Sequence, residues 1–184
     1  MPLNTIPLPY GLREVKITPY TDFTRTTLAG SSIKFPNMQT LSFKEKEDFQ
    51  ELRGDDQLVA VHGSGPNIEW ELEGGGYSFE AVAGMYGGTV TTTGVTPNQV
   101  KTFDKLGTDI RPYFKARGRA ISDSGGDFHT VIHAARATDD LEGELKDGEF
   151  WLTKASGTGL PSLVAADIGK VYSFIQNETA TAVP

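Results

Sequence analysis

Residues 112–138 read PYFKARGRAISDSGGDFHTVIHAARAT. Tyr113, Lys115, Arg117 and Arg119 alternate with Phe114, Ala116, Gly118 and Ala120, which is the period of a strand with two unlike faces. Phe128 to Thr138 reads as a second strand. Between them stands Ser124-Gly125-Gly126-Asp127. Glycines supply positive φ there, and Ser or Asp side chains bond nearby backbone groups. The stretch therefore predicts a β-hairpin, and with it a mainly β protein.

The same letters invite another reading. Asp123-Ser124-Gly125-Gly126-Asp127 is close to the string that carries the nucleophile of trypsin-type serine proteases, and Val59-Ala60-Val61-His62 resembles the setting of their general base. The order His62, then Asp104 or Asp109, then Ser124 also matches base, orienter and nucleophile. The spacing does not, because roughly 15–20 residues between the orienter and the serine cannot build the second barrel that this arrangement requires. Ser122 stands where a glycine N–H would help stabilise the oxyanion, and Asp127 stands where a proline follows. A turn is the better reading, and no catalytic role is expected. His129 and His133 have the i, i+4 spacing of a helical zinc pair, but on a strand they stand about 13 Å apart. They are expected to be exposed strand residues, and neither a metal nor another cofactor is expected.

The 184 residues suit one domain with a hydrophobic core. The 21 glycines and 10 prolines favour short strands joined by turns, and the absence of cysteine excludes a disulfide scaffold or a thiolate metal site. A formal net charge of −7 argues against ordinary duplex binding, which needs Lys and Arg to displace counterions. The start, MPLNTIPLPYGLREV, has no basic lead, and no window approaches the roughly 18–20 apolar residues of a membrane span. A soluble cytoplasmic product with no membrane partner is expected.

Along the chain, residues 1–11 read as an extended arm. Strands are expected at 14–18, 41–44, 57–62 and 67–73, the last with Ile68, Trp70 and Leu72 on one face and Glu69, Glu71 and Glu73 on the other. KEKEDFQELRGDDQ (44–57) has only Phe49 and Leu52 as apolar anchors. It reads as a solvated loop or frayed helix, or as a loop that orders against a partner. Phe79, Val82 and Tyr86 are spaced for a helix, with Ser78 as N-cap and Gly87-Gly88 as its stop. Residues 89–93 and 99–106 suggest two more strands. Asp147-Gly148 marks a hairpin between 141–146 and 149–153, and 170–175 is a further candidate strand. The expected architecture is a β-sandwich or barrel with one short helix in a single domain: arm 1–11, β core 12–155, arm 156–184.

Two like-charged stripes stand out: Glu69, Glu71 and Glu73 on one strand, Lys115, Arg117 and Arg119 on another. Each repels itself at a spacing of about 6.6–7 Å. Both stripes could be solvated or could face each other within one sheet. Alternatively, each could meet the opposite stripe of another subunit and set the register of an assembly.

The segments IPLPYGLREVKITPYTD, PNMQTLSFKEKEDFQELRGDD, WELEGGGYSFEAVAGMYGG and ISDSGGDFHTVIHAARATDDLEGELKDGEFWLTKASG, in this order, resemble the major tail (tail tube) proteins of long-tailed phages infecting actinobacteria. The resemblance runs over nearly the whole chain and rests on the ensemble. It implies a two-sheet β fold with a flanking helix, similar to the type VI secretion tube protein, in hexameric rings that stack into a tube for DNA ejection. The implied location is the virion tail, assembled in the host cytoplasm with tape-measure, tail-tip and tail-terminator partners and transient DNA passage. It also implies that Lys44, Glu47, Asp48, Phe49, Glu51, Leu52, Arg53, Asp55 and Asp56 lie on an inter-ring loop, and that residues 1–11 and 156–184 are arms reaching neighbours. Glu69, Glu71 and Glu73 become candidates for the lumen, and Lys115, Arg117 and Arg119 for an inter-subunit stripe. Competing expectations are a neck adaptor, a capsid decoration protein, or a monomeric carbohydrate- or ligand-binding β-sandwich with Tyr77, Tyr86 and Trp151 in one exposed groove.

Overall fold

A computed structural model describes residues 6–142, 146–148 and 150–184. In chain order the elements are β1 (Pro9–Pro19), β2 (Ile33–Phe35), β3 (Met38–Lys46), β4 (Phe49–Gly54), β5 (Gln57–Gly63), β6 (Asn67–Gly75) and α1 (Phe79–Tyr86). They continue with β7 (Thr89–Thr93), β8 (Val100–Asp104), β9 (Phe114–Ser122), β10 (Asp127–Ala137), β11 (Leu152–Leu160), a 3-10 turn (Ala165–Asp167) and β12 (Tyr172–Asn177). The protein is mainly β, with several antiparallel sheets and one α-helix among the described residues.

The main sheet runs β2-β1-β9-β10-β11-β6-β3, and β12 adds to β10 beside β11. The hairpin predicted from residues 112–138 forms its centre. Asp127 pairs with Ile121 and Ile132 with Ala116, and Gly125 and Gly126 adopt φ of +96° and +69° in the connecting turn. The Ser124 hydroxyl donates to the Ile6 carbonyl and shares a 2.8 Å hydrogen bond with Ser122. His62 lies far along the chain on exposed β5. The turn reading holds.

The sheet curls so that its two halves face one another. On β6, Ile68, Trp70 and Leu72 are buried while Asn67, Glu69 and Glu71 are exposed. Trp70 meets Phe114 of β9 edge-on at 5.4 Å between centroids, and its indole N–H donates to the Thr158 carbonyl at 3.1 Å. Val15, Ile17, Phe35, Ala116, Ile132 and Ala135 complete the inner lining. Each large side chain so buried contributes about 1.5–3 kcal/mol. Phe43, Phe128, Tyr172 and Phe174 pack as a cluster of tilted and edge-on rings where β3 approaches β12, and the Tyr172 hydroxyl donates to Glu45 at 2.6 Å. Sandwich-like packing thus arises within one continuous curled sheet.

Helix α1 starts and stops as expected. Ser78 Oγ accepts from the Ala81 N–H at 3.3 Å, and Gly87 ends the helix at φ +77°. Gly84 lets it sit on β1 and β2, since a Cβ there would fall 2.9 Å from Ile33 Cδ1 and 3.0 Å from Ile17 Cδ1.

Other expectations are corrected. Residues 44–57 are neither loop nor helix but the end of β3, β4 and the turn into β5. Of the expected arm 1–11, residues 1–5 lie outside the described residues and Pro9 to Gly11 belong to β1, while 156–160 and 172–177 of the expected arm 156–184 lie in β11 and β12. Gly148 has the expected turn conformation at φ +80°. The strands predicted to flank it fall partly on 143–145 and 149, outside the described residues, and β11 instead pairs with β10 and β6. His129 and His133 are 5% and 3% exposed, not solvated, because the C-terminal segment covers their face.

Backbone closure gives a stability test. A Cβ on Gly157 would clash with the Arg136 carbonyl oxygen and the Ala137 backbone, whereas Gly107 has open space around it. Gly157→Ala is expected to lower the urea-unfolding free energy by about 2 kcal/mol or more. Gly107→Ala should change it by less than about 0.5 kcal/mol.

Candidate assembly surfaces

The carboxylate stripe is real and faces solvent. Its register places Glu69 opposite Lys44 and Thr158, Glu71 opposite Ser42 and Ser156, and Glu73 opposite Thr40 and Lys154. Glu69 pairs with Lys46, and Glu73 with Lys154 at 3.1 Å. It does not pair with Lys115, Arg117 and Arg119. The face is therefore a mixed ladder with lysines at its margins, not a purely acidic wall. Along it lies a groove of about 440 Å³ lined by Ser42, Lys44, Glu69, Glu71, Ser156 and Thr158.

The predicted loop is an antiparallel ribbon. Phe49 pairs with Gly63, Glu51 with Val61 and Leu52 with Ala60. Asp55 and Asp56 at its tip take φ of +51° and +61°, the backbone of a type I′ hairpin turn. Asp48 and Glu47 hold its base: the Asp48 carbonyl accepts the Ser64 N–H at 2.9 Å, and Glu47 Oε1 accepts the Gly65 N–H at 3.4 Å. Arg53 donates to Glu51 Oε2 through Nε and Nη2. Phe49, Leu52, Leu58, Val59 and Val61 are all more than half exposed, at 52–63%. The strand expected at 57–62 is β5; what was missed is its partner β4, and the signal for it was the Asp55-Asp56 pair just before that expected strand, a possible positive-φ turn.

The cationic stripe is not an open face. Lys115 is 6% exposed and pairs with Asp167 at 2.5 Å. Arg117 donates to the Pro184 carbonyl at 2.8 Å, and Arg119 to the Thr181 carbonyl at 3.2 Å. As a surface ready for another subunit it is corrected: its own chain covers it.

Two buried groups organise this cover. The Asp127 side chain is fully buried and accepts the Thr181 N–H at 2.6 Å and the Asn177 amide at 2.7 Å, with His129 Nε2 at 3.1 Å. Burial would raise its pKa, but these hydrogen bonds outweigh burial and hold the carboxyl below its ordinary value. His133 meets Ser173 Oγ at 2.8 Å and Asp167 at 3.3 Å. Burial, aided by Lys115, pushes the imidazole down to about 4. Asp167 would likewise be raised by burial, yet Lys115 and Lys170 bring it down to about 2.

The alternative aromatic groove does not assemble. Tyr77 stacks on Trp151 at 4.4 Å, but Tyr86 is buried and donates to Asp139 at 2.8 Å. Among the described residues no group of three or more His, Asp or Glu side chains could hold a metal, and no helix is long and apolar enough to cross a membrane. Comparison with known protein families gives no match, and comparison with curated proteins gives none.

Asp127→Ala is expected to cost about 3–5 kcal/mol in urea unfolding, because it strands the Thr181 N–H and the Asn177 amide in a buried site. Glu71→Ala, on the exposed ladder, should stay within about 0.5 kcal/mol.

Proposed function

We propose that this protein is a structural, self-assembling subunit of a phage tail tube, forming stacked rings, hexameric by resemblance, around a DNA channel. The observation that carries this reading is the β4–β5 ribbon. It exposes five large apolar side chains and is a two-stranded sheet separate from the main one. A ribbon of two strands is at best marginally stable in water, so a surface on another copy would bury what this chain leaves open. The resemblance of the four quoted segments to tail tube proteins supports the same reading, as does the curled β core with one flanking helix.

In this assembly the ribbon contacts the next ring. The Glu69, Glu71 and Glu73 ladder faces the lumen, where carboxylates repel passing phosphates and the paired lysines temper the field. Tape-measure, tail-tip and terminator proteins set where the tube starts and stops, and the tube belongs to the virion tail. The protein acts by shape and charge, without catalysis.

Negative-stain electron microscopy with light scattering, on dilute and then concentrated protein, tests the proposal. Rings or tubes with a central hole are expected. Protein that stays monomeric at every concentration, even with preformed tail tips, would sink it. Phe49→Ala combined with Leu52→Ala should leave the monomer's unfolding free energy within about 0.5 kcal/mol while shortening or abolishing tubes. Tubes of normal length from that variant would remove the ribbon from the contact.

A further inference from the structure

We propose that the segment from Ser162 to Pro184 is an acid-opened cover, which closes over Lys115, Arg117 and Arg119 at neutral pH and lifts from them as its latches take up protons. This inference rests on the cover's own geometry and stands whether or not the chain forms tubes.

The cover is held at two places. The first latch is Asp167, which pairs with Lys115 and lies 3.3 Å from His133 Nδ1, with Lys170 at 3.1 Å on its solvent side. The second is Asp127, which binds Thr181 and Asn177. Between and beyond them, Lys16 donates to the Val183 carbonyl, and the Val183 N–H reaches Glu14 at 3.4 Å. Val183 itself is 1% exposed. β12 is paired to β10 alone, so it can peel away without breaking the path of the main sheet.

The charged and titratable groups facing the cover are Glu14 and Lys16 from β1, Tyr20 just after it through Ser162, Lys34 from β2 through Glu14, and Glu45 from β3 through Tyr172. Lys115, Arg117 and Arg119 face it from β9, and Asp127, His129 and His133 from β10. Two nitrogens under it face carboxylates at long range: His133 Nδ1 lies 3.3 Å from Asp167 and Arg119 Nε 3.8 Å from Glu14.

Proton linkage sets the sign. Under the cover His133 titrates near 4; freed into water it returns to about 6.5. The open state therefore binds more protons between these values. The closed state has its full advantage above about pH 6.5 and loses it as pH falls toward 4. Asp167 and Asp127, both depressed, favour closure above ordinary carboxylate values and lose that preference only at lower pH. All three act in the same direction. His133 alone shifts the balance toward opening by about 30-fold between pH 7.5 and pH 5.

Hydrogen exchange with mass spectrometry on the full chain, corrected for intrinsic rates, tests this by comparing peptides spanning 171–184 with peptides spanning 67–75 of the core. The expected result is a fall of about 30-fold in the protection of 171–184 relative to the core between pH 7.5 and pH 5. A ratio that stays constant would overturn the proposal. So would cover amides that exchange only together with the core. His133→Gln should flatten the response above pH 5. Should that variant not fold, an NMR titration of the His133 ring in the unaltered chain decides: a midpoint below 5 supports the device, and one near 6.5 overturns it.

Discussion

The central hairpin of β9 and β10 must satisfy two opposite demands, and most of the structure follows from how it does so. One face carries Phe114, Ala116, Gly118 and Ile132, small enough or apolar enough to receive Trp70 and Leu41 as the sheet curls. The open site at Gly118 is filled by Leu41, whose Cδ2 would fall 2.5 Å from a Cβ placed there. The other face carries Lys115, Arg117, Arg119, His129 and His133. Those groups cannot be packed dry without partners. The chain supplies them from Asp167, from Asp127 and from the carbonyls of Thr181 and Pro184. The C-terminal segment is thus required by charges placed some fifty residues earlier.

What could be read from the sequence was local. Period-two patterning placed β1, β3, β6 and β9, because alternation records a strand with two unlike faces, and the Ser124–Asp127 turn placed β10 beside β9. The cap residues Ser78 and Gly87 placed α1. Of the ribbon only β5 was read as a strand; β4 escaped because both its faces are exposed, so nothing imposes alternation on Phe49 to Gly54. The two histidines were misjudged for a related reason. Their strand was identified, but their burial depends on residues 171–184 folding back over them, a non-local pairing that no window of sequence contains. The charged stripes were legible as residues but not as neighbours. Lys46 and Lys154 beside the carboxylates, and the cover over the cations, emerge only from register and tertiary packing.

The ribbon also marks where the core stops stabilising the chain. Within the main sheet, apolar side chains are stabilised by burial at roughly 25 cal/mol per Å². On β4 and β5 that term is left unrealised for Phe49, Leu52, Leu58, Val59 and Val61. Such a patch is disfavoured on a protein that stays monomeric and favoured where a second surface arrives. The acidic side chains around it, Glu47, Asp48, Glu51, Asp55 and Asp56, are compatible with both states: they solvate the ribbon while it is free and rim the contact when it is covered.

The cover over the cations bears on the proposed channel. Phosphate contacts gain their strength from Lys and Arg releasing counterions, so a surface past which DNA must slide should offer few unpaired cations. A net charge of −7 understates how far this chain meets that condition. Lys115 is buried against Asp167, and the guanidinium groups of Arg117 and Arg119 are turned onto carbonyl oxygens of the same chain. Lys46 and Lys154 are engaged by Glu69 and Glu73. Cations that the composition counts as available are already committed within the subunit. The low affinity for phosphate that such a channel needs can therefore arise from internal pairing as much as from an excess of carboxylates.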